Sequence, residues 1–295
     1  MIPLASGQYP GAQRLRIGDA VVTALSDGYI DLGPQTVPGA TADDLAPLVA
    51  SPYALEEGYR SSISAFLVES GGRRILIDAG GAQSGIGTLG RMQRVLAAIG
   101  VGPDTIDALV MTHLHPDHAG GAFDASGAAV FGHAEMILRV EEHAFWHDDA
   151  PVNDGNRAYF DLARKAAGAY ARGGRLTLFD RDREVMPGLH AEFLPGHTPG
   201  HTGYRVESGG EALLIWGDIV HIPPVQMKRP GIGIAFDVEG AQAEATRRAV
   251  LERAASDRLK IAGMHLPFPA FGSVARDGEG YRFLPAPYDH EPGHP

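Results

Sequence analysis

The sequence predicts an α/β fold in which two β-sheets pack together with helices on the outside. Three observations predict it. Short apolar runs ending in small or polar residues recur along the chain, as buried strands do. Segments of helical periodicity separate them. A β-rich half with helices is followed by a second half of the same make-up, the pattern of a layered fold. The 295 residues are read as one large domain over 1–295, with 1–12 and 289–295 as loose ends rich in Pro, Gly and polar groups.

Taken in order, Ala65-Phe-Leu-Val-Glu69 and Arg74-Ile-Leu-Ile-Asp78 flank Gly71-Gly72 and read as a hairpin. Leu89, Met92, Leu96 and Ile99 keep a 3.6-type spacing, with Gly100 where a C-cap belongs. Residues 108–112 form an apolar strand, and 133–146 and 157–172 read as helices. Residues 191–194, 204–207, 212–216 and 260–264 are further strands. Residues 240–255, rich in Ala, Glu and Arg, are a helix.

Composition removes several classes of function. The net charge is -11, and basic residues cluster only in pairs such as Arg73-Arg74 and Arg247-Arg248. A nucleic-acid partner needs a basic stripe, so none is expected. The aromatic content of 7% offers no long stacking platform. With no cysteine, disulfides and thiolate metal sites are excluded. The N-terminus lacks a basic start and an apolar core, so it does not read as a signal peptide. No apolar run approaches the ~18 residues of a membrane span. A soluble, cytoplasmic protein is the expectation, although a chain trimmed of its leader would look the same.

The most informative stretch is His113-Leu-His-Pro-Asp-His118, directly after the apolar run that ends at Thr112. Imidazole and carboxylate are the donors that zinc and similar divalent ions take. On extended backbone the side chains at i and i+2 share one side, so His113 and His115 can grip one ion together. Pro116 then fixes a turn that swings Asp117 and His118 toward a neighbouring position. Two donor groups aimed at two nearby places point to two ions. A solvated histidine-rich turn would account for the cluster alone but not for its place at a strand end.

Three later features extend the set. His197 lies in the glycine-bounded loop Pro195-Gly-His-Thr-Pro-Gly-His201, where backbone can approach an ion closely. Ala212-Leu-Leu-Ile-Trp-Gly-Asp218 ends an apolar strand on a carboxylate, and Ile261-Ala-Gly-Met-His265 ends one on an imidazole. His201 reads as support for a ligand rather than a ligand itself. His133, His143, His147, His190, His290 and His294 have no neighbour that singles them out.

This series of His-x-His-x-Asp-His, Gly-His, Gly-Asp and a late His resembles the metallo-β-lactamase superfamily. The resemblance implies an αββα four-layer sandwich with a dinuclear site between the sheets. By the same resemblance His113, His115 and His197 hold one ion, Asp117, His118 and His265 hold the second, and Asp218 bridges them. Within the superfamily the chain is most similar to the methyl parathion hydrolase group. Thr112-His-Leu-His-Pro-Asp-His-Ala-Gly-Gly121, Gly196-His-Thr-Pro-Gly-His-Thr202, Gly217-Asp218, His265-Leu-Pro-Phe-Pro269, Ala24-Leu-Ser-Asp-Gly28 and Gly280-Tyr-Arg-Phe283 carry that similarity, over roughly residues 15–288. One position departs: the group's pocket aromatic matches Gly85 here, with Ile86 beside it. Trp146 and Phe160 match its other pocket aromatics. Phe145, Tyr159 and His221 are weaker pocket candidates, each with an ordinary core or loop explanation.

The expected function is metal-dependent hydrolysis. Two divalent ions about 3.5–4 Å apart share a water, lower its pKa toward ~7, and so supply a metal-bridging hydroxide that attacks an ester-like bond. Asp218 would hold the ions at that spacing, and Asp117 would pass a proton to the leaving group. Zinc is the first choice, with Mn, Fe, Co and Ni accepted by the same donors. Gly85 places a lactone or carboxylic ester ahead of a phosphotriester. A zinc β-lactamase of the commonest subclass would need a cysteine ligand. A mononuclear iron dioxygenase of this fold would leave Asp117, His118 and His265 unused, and a non-catalytic ester-binding protein would leave the open donor set unexplained. A small-molecule ester, lactone or phosphotriester is the expected partner, and a homodimer is implied by the resemblance.

Overall fold

Burial on both faces decides the character of the first sheet. Phe66, Val68, Ile75, Ile77, Ala108, Val110 and Ile137 turn to one apolar layer. The residues between them, Leu67, Leu76, Leu109, Met136 and Leu138, turn to another. Strands covered on both sides read as continuous apolar runs, because period two places alternate side chains in different layers. The computed structural model describes residues 11–49, 55 and 58–288. The ends at 1–10 and 289–295, including His290 and His294, lie outside the described residues.

Seven strands form this sheet in chain order: β1 (Ala12–Ile17), β2 (Ala20–Leu32), β3 (Tyr59–Ser70), β4 (Arg73–Ile77), β5 (Ala108–Val110), β6 (Glu135–Arg139) and β7 (Leu176–Phe179). The second sheet also has seven strands, ordered from last to first: β8 (Arg183–Met186), β9 (Leu189–Phe193), β10 (Thr202–Ser208), β11 (Glu211–Ile215), β12 (Lys260–Ala262), β13 (Phe271–Asp277) and β14 (Gly280–Pro285). The expected hairpin is present, with Glu69 opposite Arg74 and Ser70 opposite Arg73. β4 to β7 run parallel, as do β11 and β12; the other pairings are antiparallel.

The helices are α1 (Ala42–Val49), α2 (Met92–Ala98), α3 (Pro116–Ala119), α4 (Val140–His147), α5 (Arg157–Ala171), α6 (Pro223–Gln226) and α7 (Gly240–Ser256). α2 and α5 send Met92, Val95, Leu96, Phe160, Ala163 and Tyr170 onto the outer face of the first sheet. α7 packs Val250, Leu251 and Ala254 into the core of the second. Helix, sheet, sheet, helix is therefore the layer order. A single apolar cluster joins Val22, Phe66 and Ile77 of the first sheet to Tyr204, Leu213, Ile215 and Ile261 of the second. Among the described residues no helix is long and apolar enough to cross a membrane.

One segment departs from the sequence reading. Residues 133–146 were expected as one helix, but Glu135–Arg139 is strand β6 and helix begins only at Val140. Met136 and Leu138 face one layer and Ile137 the other, so a short run buried on both sides carried no period to separate strand from helix.

Candidate metal centre

The expected donors meet at the seam between the sheets. β5 ends at Val110, and Met111 and Thr112 lead to His113 and His115. Pro116 begins the short α3, whose first turn presents Asp117 and His118 while His115 supplies its N-cap. His197 follows β9, Asp218 follows β11, and His265 follows β12. Two backbone hydrogen bonds lace the sheets together here, from Thr202 N to Thr112 O at 2.9 Å and from Ser64 N to Met264 O at 3.0 Å.

Asp218 is the hub. Its Oδ2 lies 2.9 Å from His265 Nε2, 3.1 Å from His221 Nε2, 3.2 Å from His118 Nε2, 3.3 Å from His197 Nε2 and 3.5 Å from His113 Nε2. His115 joins from the side, its Nδ1 3.0 Å from His113 Nε2 and 2.9 Å from His197 Nε2. Asp117 Oδ2 sits 3.5 Å from His118 Nε2 and 3.7 Å from His265 Nε2. Three donor groups result: His113, His115, His197 and Asp218; Asp117, His118 and His265; and Asp218, His221 and His265, each within 4.8 Å.

The hydrogen bonds behind the rings fix which nitrogen faces inward. His118 Nδ1 donates to Asp78 Oδ2 at 2.8 Å, and His197 Nδ1 donates to Asp237 Oδ1 at 2.9 Å. Thr112 Oγ1 gives its own hydrogen to Asp78, so it accepts from His113 Nδ1 at 2.9 Å. Ser61 Oγ donates to His221 O and accepts from His265 Nδ1 at 3.3 Å. Each of these four rings thus carries a hydrogen on Nδ1 and turns Nε2 to the centre. Lone pairs about 3 Å apart repel unless a proton or a cation lies among them.

The buried groups show the same tension. Burial, with neighbouring imidazoles, holds His113 and His115 well below the ordinary histidine range. For His118 burial also opposes charge, but Asp218, Asp117 and Asp78 carry it well above that range. In His197 burial is likewise outweighed, and hydrogen bonds to Asp218 and Asp237 push it up to about 9. His118 Nε2, Asp218 Oδ1 and His221 Nδ1 are buried with no hydrogen bond to satisfy them. All-nitrogen and oxygen donors, aligned rings and the unsatisfied His118 Nε2 and Asp218 Oδ1 fit divalent cations.

His201 stands apart from the inward rings. Its Nδ1 donates to Leu194 O at 2.7 Å and its Nε2 accepts the Asp218 backbone N–H at 2.9 Å. It holds the main chain of the hub rather than the tautomer of a ligand histidine.

A cavity of about 270 Å³ opens above the cluster. His115, Asp117, His197, Asp218, His221 and His265 form its floor, and Ile30, Leu32, Ile86, Tyr159 and Phe236 supply apolar walls. Ile86 and His221 both line this cavity. Gly85 lines an adjoining depression instead. Trp146 and Phe160, expected in the pocket, are each 2% exposed and pack on one another in the core behind His115. Their large apolar faces are satisfied by the α4–α5 contact. Phe145 packs there too, and of the four aromatics weighed only Tyr159 reaches the cavity wall.

Sequence reasoning missed Asp78, Asp237, Ser61 and Thr112, the groups that align the rings. Asp78 carried the signal used for Asp218, a carboxylate closing an apolar strand, whereas nothing around Asp237 marked it.

Comparison with known proteins agrees with this architecture. Residues 58–265 match the metallo-beta-lactamase superfamily. The solved structure of the hydrolase AbOPH, of the beta lactamase superfamily, is 31% identical, superposes with a TM-score of 0.89, and is matched over 96% of this chain and 100% of that one. The chain belongs to the metallo-beta-lactamase superfamily. AidC, described as a dizinc quorum-quenching lactonase, shares the fold with a TM-score of 0.87 at 23% identity, over 95% of this chain and 99% of its own. An N-acyl homoserine lactonase of Bacillus thuringiensis is 28% identical over 127 residues, 42% of this chain. One of Agrobacterium fabrum is 28% identical over 164 residues, 49% of this chain. The chain spans 43% and 57% of the length of these two relatives.

Proposed function

We propose that this protein is a dinuclear metal-dependent hydrolase that opens a lactone or carboxylic ester. His113, His115 and His197 would hold one ion, Asp117, His118 and His265 the other, and Asp218 both. Zinc is the first candidate, and Mn, Fe, Co or Ni suit the same donors. When bound, such ions supply a water nucleophile at neutral pH and polarise the carbonyl or phosphoryl oxygen under attack.

The chain's own residues do the rest. Asp78, Asp237, Thr112 and Ser61 hold four rings in one tautomer, so no reorientation accompanies catalysis. Asp117, whose side chain is 14% exposed and borders the cavity, is placed to hand a proton to the leaving group. Ile30, Leu32, Ile86 and Phe236 exclude water from one side of the substrate and accept an apolar arm.

The observation that carries this reading is the convergence of five imidazoles on Asp218 Oδ2 at the floor of an apolar-walled cavity. The name shared by the lactonase relatives supports the substrate class. A phosphotriester is the second reading, supported by the resemblance of the sequence motifs to those of the methyl parathion hydrolase group. Metal analysis, with kcat/KM on a homoserine lactone, dihydrocoumarin and a paraoxon-type ester, tests both. Two ions per chain and a preference for lactone or ester are expected. A phosphotriester preferred by orders of magnitude reverses the order, and a metal-free active enzyme ends the proposal.

A further inference from the structure

We infer that Glu142 is a positioning residue for the metal centre, a buried carboxylate that sets the spacing between the loop carrying His113 and His115 and the loop carrying His197. The inference rests on the metal-centre reading above.

Glu142 lies in the first turn of α4 and is 0% exposed. Among the described residues it forms no salt bridge; four hydrogen-bond donors surround it instead. Oε1 accepts the Leu114 N–H at 2.9 Å and the Trp146 indole N–H at 2.6 Å. Oε2 accepts the Thr198 hydroxyl at 2.5 Å and the Gly200 N–H at 3.1 Å. Three of these partners can only donate, so two acceptor oxygens are what the site is shaped for.

The addresses of the donors matter more than their number. Leu114 stands between His113 and His115. Thr198 adjoins His197, and Gly200 adjoins His201, which in turn holds the Asp218 backbone. Trp146, oriented by the same carboxylate, sets its ring edge-on to His115 with centroids 5.5 Å apart. One side chain from the helix beside the first sheet therefore grips loops that end strands in both sheets. Gly200 is required for this approach, because a Cβ there would lie 2.1 Å from the Glu142 backbone nitrogen.

An ordinary structural carboxylate would stabilise the fold without favouring the ions. A positioning residue makes the ions bind more tightly than the fold alone requires, and outer partners of metal ligands commonly carry roughly 10–100-fold in affinity. Titration of the chelator-stripped full chain with Zn²⁺ and Co²⁺ against a competing chromophoric chelator separates the two. Glu142→Gln keeps the size of the side chain but turns one acceptor into an NH₂ group facing two donors. Its first ion is expected to bind about 10–100-fold more weakly, with a changed Co²⁺ absorption spectrum and an unchanged far-ultraviolet circular dichroism.

Thr198 supplies the control if that variant does not fold. Thr198→Ser keeps the donor and loses a methyl, whereas Thr198→Val keeps the shape and loses the donor. The Ser form is expected to bind the first ion like the wild type and the Val form several-fold more weakly. Equal affinity and spectra in Glu142→Gln and wild type, or Ser and Val ranked the other way, overturns the inference. A wild-type chain that takes up no pair of ions overturns the metal-centre reading instead.

Discussion

His201 and Asp218 are joined through the main chain: the imidazole Nε2 accepts the Asp218 N–H at 2.9 Å while Nδ1 donates to Leu194 O. Burial, with the neighbouring His197, holds this imidazole down at about 3, so it stays neutral and keeps one donor and one acceptor. Gly217 makes the contact possible, since a Cβ there would stand 2.3 Å from His201 Nε2. His201→Leu leaves two buried backbone groups unpaired, at a cost of about 1–3 kcal/mol each. Thermal denaturation of the metal-free protein is expected to register that loss, and Gly217→Ala to destabilise it as well.

Asp27 fixes the loop that forms one wall of the cavity. Its carboxylate accepts the N–H groups of Gly81 at 2.8 Å, Gly90 at 3.0 Å and Met92 at 2.9 Å. Ser84 and Ile86, between those anchors, line the cavity. Asp27→Ala is expected to raise KM roughly tenfold while changing kcat far less, because the loop lines the cavity and supplies none of the candidate metal donors. A fall in kcat with KM unchanged counts against this division of labour.

Removing the ions should expose the charge conflict in the centre. In the metal-free protein His197 titrates at about 9, so at neutral pH an entering ion must displace its proton. Uptake is therefore expected to release protons, and affinity to rise with pH, roughly tenfold per unit for each proton released, until about pH 9. The sign for stability runs the other way. A histidine raised from 6.5 in the unfolded chain to about 9 stabilises the metal-free fold below pH 6.5, and that contribution is lost as the pH rises through 9. Calorimetry in buffers of different ionisation enthalpy measures the first effect, and denaturation of chelated protein from pH 6 to 9 the second.

Ile86 offers the simplest probe of substrate shape. It is 39% exposed at the cavity wall, so truncation removes contact area without opening the core. Ile86→Ala is expected to cost about 1 kcal/mol on substrates with an apolar arm, roughly fivefold in KM, and little on short ones. Equal effects on long and short esters would place the arm elsewhere.

Much of the centre was legible because ligands at strand ends leave local marks. His113, His115, Asp117 and His118 lie within six residues, and Asp218 and His265 each close an apolar run. The groups behind them were harder to find. Asp237 reaches His197 across 40 residues of sequence, and Glu142 reaches Thr198 across 56, so no local pattern ties either pair. Pocket aromatics failed for a related reason: Trp146 and Tyr159 both sit on helices, yet only tertiary packing turns one inward and leaves the other on the wall. Strand β6 was hidden by burial on both faces, which erases the period that separates strand from helix.

The candidate ligands are divided by sheet. Four follow β5 in the first, and His197, Asp218 and His265 follow β9, β11 and β12 in the second. Neither half holds all the candidate donors of either proposed ion, so a bound cation would act as a linchpin across the sandwich. A chain nicked in the turn at 180–182 would yield two fragments with partial donor sets, and ion capture would then gauge their reassembly.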